Sequence, residues 1–347
     1  MSMRVSVGIF AHNEEQNIGA TLESLFRQSL LKTPLDLDVS SIEVLCLANG
    51  CTDGTIEVAS RHNPIALSSI DYRVVETPEP GKSRTWNAFV HDHSDRNADF
   101  LILMDADIIF EEEDVLEQLI RQLIAEPHAE VATDTPVKAF TRDAENLSIA
   151  DRGSLAASKQ KSMVGVLCGQ LYCARAHALR AIWLPPELPV EDGYLAAMIT
   201  TSGFTNTTDL SRIAWVPTAR HFFRTHRSIA GYIAHEARII VGSVINSWLF
   251  SVLWEEGRKG HAGAFVQRQN ASDRLWLSKL IEEKVRSGGA WLIPKHFMLW
   301  RLEPLKGQPL SGKLKRAPIA FAATTLNTIA CVRANAILKR RDAAAHW

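Results

Sequence analysis

Cysteine is scarce in this chain, and its placement does not favour cross-linking. Five cysteines stand among 347 residues, at positions 46, 51, 168, 173 and 331, an odd number with no CxxC pair. That argues against a disulfide framework or a zinc site and leaves free thiols in a reducing cytoplasm. No GxGxxG follows any strand, which disfavours a dehydrogenase, and no segment has Walker spacing. Neither charge sign dominates: a formal net charge of −1 supplies no bulk field to draw nucleic acid. No apolar run reaches the ~20 residues of a spanning helix. Ile239 to Trp254 comes nearest, and Asn246 interrupts it. The opening MSMRVSVGIF lacks a basic stretch with a cleavage site, so no signal peptide is expected. Internal repeats and low-complexity tracts are also missing.

What is present is ordinary globular material. Apolar residues make up 46% and charged residues 22%, enough to build a core without staples. The length exceeds one typical domain, so one large domain with an appendage is expected.

The stretch that organises the chain is Phe100 to Phe110, FLILMDADIIF. A solid apolar run that turns abruptly acidic reads as a central strand, covered on both faces, ending in two carboxylates. Residues two apart in an extended chain point the same way, so Asp105 and Asp107 can face one site. Carboxyl ends of strands are where open α/β sheets place ligands. Two hard oxygen ligands suit Mg²⁺ or Mn²⁺, and such a cation suits a diphosphate.

Strands and helices alternate around this stretch. Strands are expected at Arg4 to Phe10, Ile42 to Leu47, Tyr72 to Glu76, Glu130 to Thr133, Val166 to Cys173 and Ile213 to Val216. Helices are expected after Asn17, near Lys82, over Val115 to Ile124 and from Glu191, with a loop from Pro34 to Ser41. The alternation implies an α/β fold with a mostly parallel sheet. Beyond about His226 strand signals fade and helices dominate. There Ala317 to Val332 is mildly apolar, with Lys313, Lys315, Arg316, Arg333, Lys339, Arg340 and Arg341 on its flanks. That pattern suits either an interfacial helix on anionic lipid or a packed helix with a solvated basic end.

Four signals fall in order: VSVGIFAHNEEQNIGATLESL, VLCLANGCTDGT, PGKSRTWN before the Asp105 strand, and Glu191-Asp192 after a strand containing Gly169. Together they resemble the inverting family 2 glycosyltransferases over roughly residues 4 to 240. The resemblance implies the Rossmann-like GT-A nucleotide-sugar domain at 1–225, with a mainly helical region at 226–347 that binds acceptor or meets a membrane interface. It implies donor contacts from Ala11, Asn13, Glu14, Asn49 and Lys82. Asp105 would lie near the ribose, and Asp107, with His221, would coordinate Mg²⁺ or Mn²⁺. Asp192 would be the catalytic base, with Glu191 orienting its loop. Arg224, Arg227 and Arg238 match a segment that faces the donor phosphates; Arg238 is the donor contact expected here. Capping explains Asp53. The family often has Asp where Ala48 stands, and Ala48 cannot contact a base, so UDP, GDP and other carriers stay open. The processive QxxRW wording is absent, which implies transfer of one sugar.

The expected partners are a nucleotide-sugar donor and a carbohydrate or lipid-linked acceptor, without nucleic acid. The expected location is cytoplasmic, with peripheral contact on the inner face of a membrane as one version. Two other readings are a sugar nucleotidyltransferase and a catalytically silent nucleotide-sugar-binding protein. The first would need a glycine-rich basic loop where AHNEEQN stands.

Overall fold

A computed structural model describes residues 2–32, 37–62, 70–141, 163–224, 228–305 and 309–340. Pro34, Arg227 and Arg341 lie outside the described residues. The sheet strands are β1 (Met3–Ala11), β2 (Val39–Asn49), β3 (Ile70–Thr77), β4 (Phe100–Asp105), β5 (Ile109–Phe110), β6 (Val131–Lys138), β7 (Leu171–Arg175) and β8 (Ile213–Phe223). They form one eight-stranded sheet in the order β3-β2-β1-β4-β7-β6-β8-β5. Pairs β3–β2, β2–β1, β1–β4 and β6–β8 run parallel; β7 runs antiparallel to both neighbours, and β5 to β8. The α/β, mostly parallel expectation holds, and the Phe100 strand is central.

The helices of the first half are α1 (Ile18–Leu25), α2 (Ser29–Lys32), α3 (Thr55–Arg61), α4 (Lys82–Asn87) and α5 (Val115–Ala125). They are followed by α6 (Ala176–Arg180), α7 (Glu191–Thr200), α8 (Ile229–Gly257), α9 (Ala262–Ser272), α10 (Trp276–Ser287), α11 (Lys295–Leu299) and α12 (Leu310–Arg340). Strand alternation divides the core between the two faces of the sheet. Val5, Val7 and Ile9 of β1, with Val44 and Cys46 of β2, join α1 and α5 on one face. Phe10, Leu45 and Leu47 join Trp86, Phe89 and the later helices on the other. That second cluster runs without a break into 226–347, through Ile240, Leu253, Ala330 and Leu338. Each large apolar side chain so buried is worth about 1.5–3 kcal/mol over exposure, which ties the helical region to the sheet.

Several expected boundaries move. The strand expected at Val166 to Cys173 is β7, Leu171–Arg175. Val166 is exposed, and the backbone at 167–170 is spent on contacts described below. Strands β6 and β8 extend to Lys138 and Phe223, past the points where their apolar patterns stop. The Ile239 to Trp254 run belongs to α8, 29 residues long. Among the described residues α8 alone is long and apolar enough to cross a membrane, with a mean hydropathy of 1.4, and half of that window is buried within the protein. Asn246 does not interrupt it. Its side chain is buried and donates to the Val190 carbonyl at 3.0 Å.

Candidate active site

Parallel register sets the floor of the site. Ala11 pairs with Ala48, and Phe10 with Asp105, so β1, β2 and β4 end along one rim. The loop after β1 rises from that rim through Asn13, whose φ of 56° is left-handed, a conformation asparagine tolerates better than most residues. Its Oδ1 accepts from the Thr52 amide at 2.8 Å, tying the loop to the one after β2. Glu14 is half-buried; its amide donates to Thr55 Oγ1, and its carboxylate accepts from Asn17. Asn49 is buried, with both ends of its amide in use: Nδ2 donates to the Ala11 carbonyl at 2.8 Å, and Oδ1 accepts from the Gly81 amide at 3.1 Å. Asn49 therefore ties three loops together, with one N–H and one lone pair of its amide engaged. Asp53, one residue before the N-cap Gly54, accepts from the Thr55 amide at 3.0 Å at the start of α3.

Lys82 is the hub. Gly81, at φ 139°, turns the chain so that Lys82 opens α4 and points inward. The ammonium lies 2.6 Å from Asp105 Oδ1 and 2.9 Å from Glu191 Oε1, and donates to the Gly169 carbonyl at 3.1 Å. Three acceptors match the three protons of an ammonium. Lys82 is thus engaged by protein groups while 30% of its side chain stays exposed. It joins the end of β4 to the start of α7, although these stand far apart in sequence. Burial opposes its charge, but Asp105 and Glu191 together raise its pKa well above the ordinary lysine value. Burial likewise opposes ionisation of Glu191, yet the Lys82 charge and hydrogen bond, with Arg238 assisting, hold it below the usual range. Asp105 moves the other way: burial outweighs Lys82 and its pKa rises.

Asp192 follows Glu191 on the first turn of α7, where the helix dipole favours acids. Its carboxylate lies against Gly169; a β-carbon there would meet Asp192 Oδ2 at 3.2 Å. Glycine leaves room for that side chain. Burial, and then the Glu191 charge, push Asp192 up to about 6. The segment carrying it is braced from behind by α8. A β-carbon on Gly242 would meet Val190 Cγ2 at 2.2 Å, so helix and loop are in intimate contact. Arg238, exposed on α8, acts on Glu191 through its charge.

Asp107 is half-buried, and its pKa is raised by burial and then by Glu14, against the pull of Lys82 and His221. His221 is fully buried on β8. Its Nδ1 lies 2.5 Å from Asp134 Oδ2, and its Nε2 lies 3.4 Å from Gln170 Oε1. Asp105, Asp107, Glu191, Asp192, Lys82 and His221 thus share one electrostatic neighbourhood. Among the described residues no three His, Cys, Asp or Glu side chains form a ready metal cage. Asp107 and His221, whose charges interact, offer oxygen and nitrogen donors of the types that Mn²⁺ accepts, the oxygen suiting Mg²⁺ as well. Such ions take one or two protein ligands and complete their shells with substrate phosphates and water.

Sequence reasoning missed Asp134, Gln170 and the Gly169 carbonyl. One clue to Asp134 was available: a carboxylate inside the run VATDT needs a buried partner.

The Glycosyl transferase family 2 model matches residues 6–179, half of the chain. A mannosyltransferase from Pyrobaculum calidifontis, solved with GDP-mannose and Mn²⁺, is 18% identical with a TM-score of 0.58, covering 98% of this chain and 88% of its own. Glucosyl-3-phosphoglycerate synthase from Mycobacterium tuberculosis, solved with Mg²⁺ and UDP, is 22% identical with a TM-score of 0.47, covering 70% and 79%. No curated protein matches the chain. The first of these structures bears out the expected GT-A fold.

Proposed function

The chain belongs to glycosyl transferase family 2, and from that premise we propose that it moves one sugar, with inversion, from a nucleotide-sugar donor to an acceptor hydroxyl. The observation that carries this reading is the Lys82 bridge. It sets the acidic end of β4 beside the start of α7, so that a donor on one carboxylate cluster lies within reach of a base on the other.

In this reading the donor lies along the rim of β1, β2 and β4. Asn13 and Glu14 line its loop, and the Ala11 backbone forms its floor. Asp105 faces the ribose, and Arg238 answers the phosphates from α8. Asp107 and His221 hold Mg²⁺ or Mn²⁺, which when bound neutralises charge growing on the departing nucleoside diphosphate. Asp192 takes the proton of the acceptor hydroxyl. A hydroxyl is a poor nucleophile near neutrality, so its attack needs a placed proton acceptor. A carboxylate raised to about 6 is still ionised at neutral pH and is a stronger base than an ordinary aspartate. Glu191, held ionised by Lys82, fixes the turn on which Asp192 sits. A single base with direct displacement inverts the anomeric carbon.

The test pairs two variants. Asp192→Asn is expected to lose transfer by roughly 10²–10⁴-fold, the range for removal of a general base, while donor binding persists. Asp107→Ala is expected to lose the Mn²⁺-dependent thermal shift with UDP-, GDP- or dTDP-sugars. Transfer at the wild-type rate by Asp192→Asn refutes the base assignment.

A carbohydrate or lipid-linked acceptor would approach from the 226–347 region. Ile319 and Phe321 on α12, with Leu299 and Trp300 before it, are exposed. Lys313, Lys315 and Arg316 stand just upstream on the same helix. Apolar residues beside a basic run favour an anionic bilayer surface, which supports a cytoplasmic enzyme held peripherally at the inner leaflet.

A further inference from the structure

We propose that Asp134 is a positioning residue that holds His221 so that its Nε2 faces a divalent cation bound at Asp107. The inference rests on the metal-assisted reading above and adds to it a residue that no motif marks. Both side chains are fully buried, and Nδ1 lies 2.5 Å from Asp134 Oδ2. With Nδ1–H directed at a carboxylate, the Nε2 lone pair is the one left for a cation. Metal-ligating histidines commonly donate their other ring N–H in this way, which sets ring orientation and raises ligand basicity.

Local backbone geometry places the pair. Parallel pairing of β6 with β8 slips between Thr133 and Thr135: Thr133 faces Trp215, whereas Thr135 faces Arg220 and Pro136 faces His221. Asp134 occupies the slip itself. Irregularities of this kind re-aim a side chain; here the slip accompanies a contact between residues that regular pairing would not set opposite each other. Stability alone is a poor explanation for the dyad. Asp134 Oδ1 is buried without a hydrogen-bond partner, and a buried carboxylate facing a neutral imidazole is costly to keep out of water. A divalent cation on Nε2 would supply the positive charge that this buried carboxylate lacks. Gln170 closes the arrangement. Its carbonyl accepts from the Asp105 amide at 2.9 Å, and its side chain lies beside Nε2, so the histidine is linked to the same strand end as the acidic pair.

The test is Mn²⁺ titration by electron paramagnetic resonance of the full chain, with UDP and separately with GDP. Asp134→Asn keeps the size of the side chain and removes its charge. It is expected to weaken Mn²⁺ uptake roughly 10–100-fold, the usual cost of losing such a partner. His221→Ala is expected to weaken uptake at least as much, and the double variant no further than His221→Ala alone. Wild-type affinity in Asp134→Asn overturns the proposal, as does a double variant whose losses add. If the Asn variant does not fold, Asp134→Glu, which displaces the charge, replaces it: weakened uptake supports the role and unchanged uptake overturns it. If the wild type itself takes up no Mn²⁺ with either nucleotide, the metal-assisted reading fails and takes this inference with it.

Discussion

Replacing Lys82 with methionine isolates the bridge on which the site depends. The substitution keeps the length and apolar stem of the side chain and removes the charge that holds Asp105 and Glu191 together. Removing one partner from a buried ionic contact costs about 3–5 kcal/mol, because the other is left uncompensated. Lys82 and Asp105 keep 30% and 23% of their side-chain exposure and Glu191 keeps 10%, so water screens part of the loss. A value of about 3 kcal/mol at neutral pH follows, or a fall in Tm of about 4 °C. The effect has a defined pH window. Glu191 is depressed in the folded protein, so its contribution is full above its ordinary value of 4.5 and fades as pH falls through the folded value. Lys82 is raised, so its contribution is full below 10.5 and fades only in stronger alkali. Asp105, raised by burial, already resists ionisation, and losing Lys82 makes its charge more costly. The Tm gap between variant and wild type should therefore stay level through neutral and mildly alkaline pH. In acid the stranded carboxylates take up protons, and the gap should shrink to less than half. Differential scanning calorimetry at pH 4 and pH 7.5 reads this directly. Adding Glu191→Gln to the variant should recover part of the neutral-pH loss, since adjacent substitutions in one network couple. An equal fall at both pH values, or none at pH 7.5, would show that Lys82 is not the clamp described here.

The remaining predictions concern the base, its brace and the exposed helix. With Asp192 raised to about 6, kcat/KM should fall tenfold per unit as pH drops below that value, because only the ionised carboxylate accepts a proton; Asp192→Glu should move the limb, and a flat profile from pH 5 to 8 would count against the assignment. Gly242→Ala forces a β-carbon into Val190 and should cost about 1–3 kcal/mol by overpacking, with kcat reduced more than donor affinity. Phe321→Ser should reduce co-sedimentation with phosphatidylserine vesicles while leaving soluble-substrate turnover intact; no binding by the wild type would remove the membrane reading.

Much of the fold was legible because its signals are local. A solid apolar run ending in acid marks β4, alternation marks β1 and β2, and the periodic face of α5 is plain in Val115, Leu116, Leu119, Ile120 and Leu123. Within the site, the candidate acids and histidine were legible as residue types in order, but their partners were not. Lys82 read as a donor contact, since nothing near it in sequence reveals two carboxylates arriving from β4 and α7. Asparagine at a strand end is chemically suited to a ligand, but the sequence did not reveal that the Asn49 amide also bonds backbone from two other loops. The Asp134–His221 pair spans 87 positions and depends on a register slip that no periodicity records. The early start assigned to β7 came from counting Val166 and Leu167 as strand, when the chain there bends to present the Gly169 carbonyl to Lys82.

The contact of α8 with Val190 has a bearing on how this enzyme could be re-engineered. A designer testing the helical region would naturally exchange everything after β8 for the tail of another transferase. Gly242 and Asn246 travel with that tail, and both are footholds for the turn that presents Asp192. A chimera lacking a small residue at the first and an amide at the second would inherit a new tail together with a loosened Glu191–Asp192 turn.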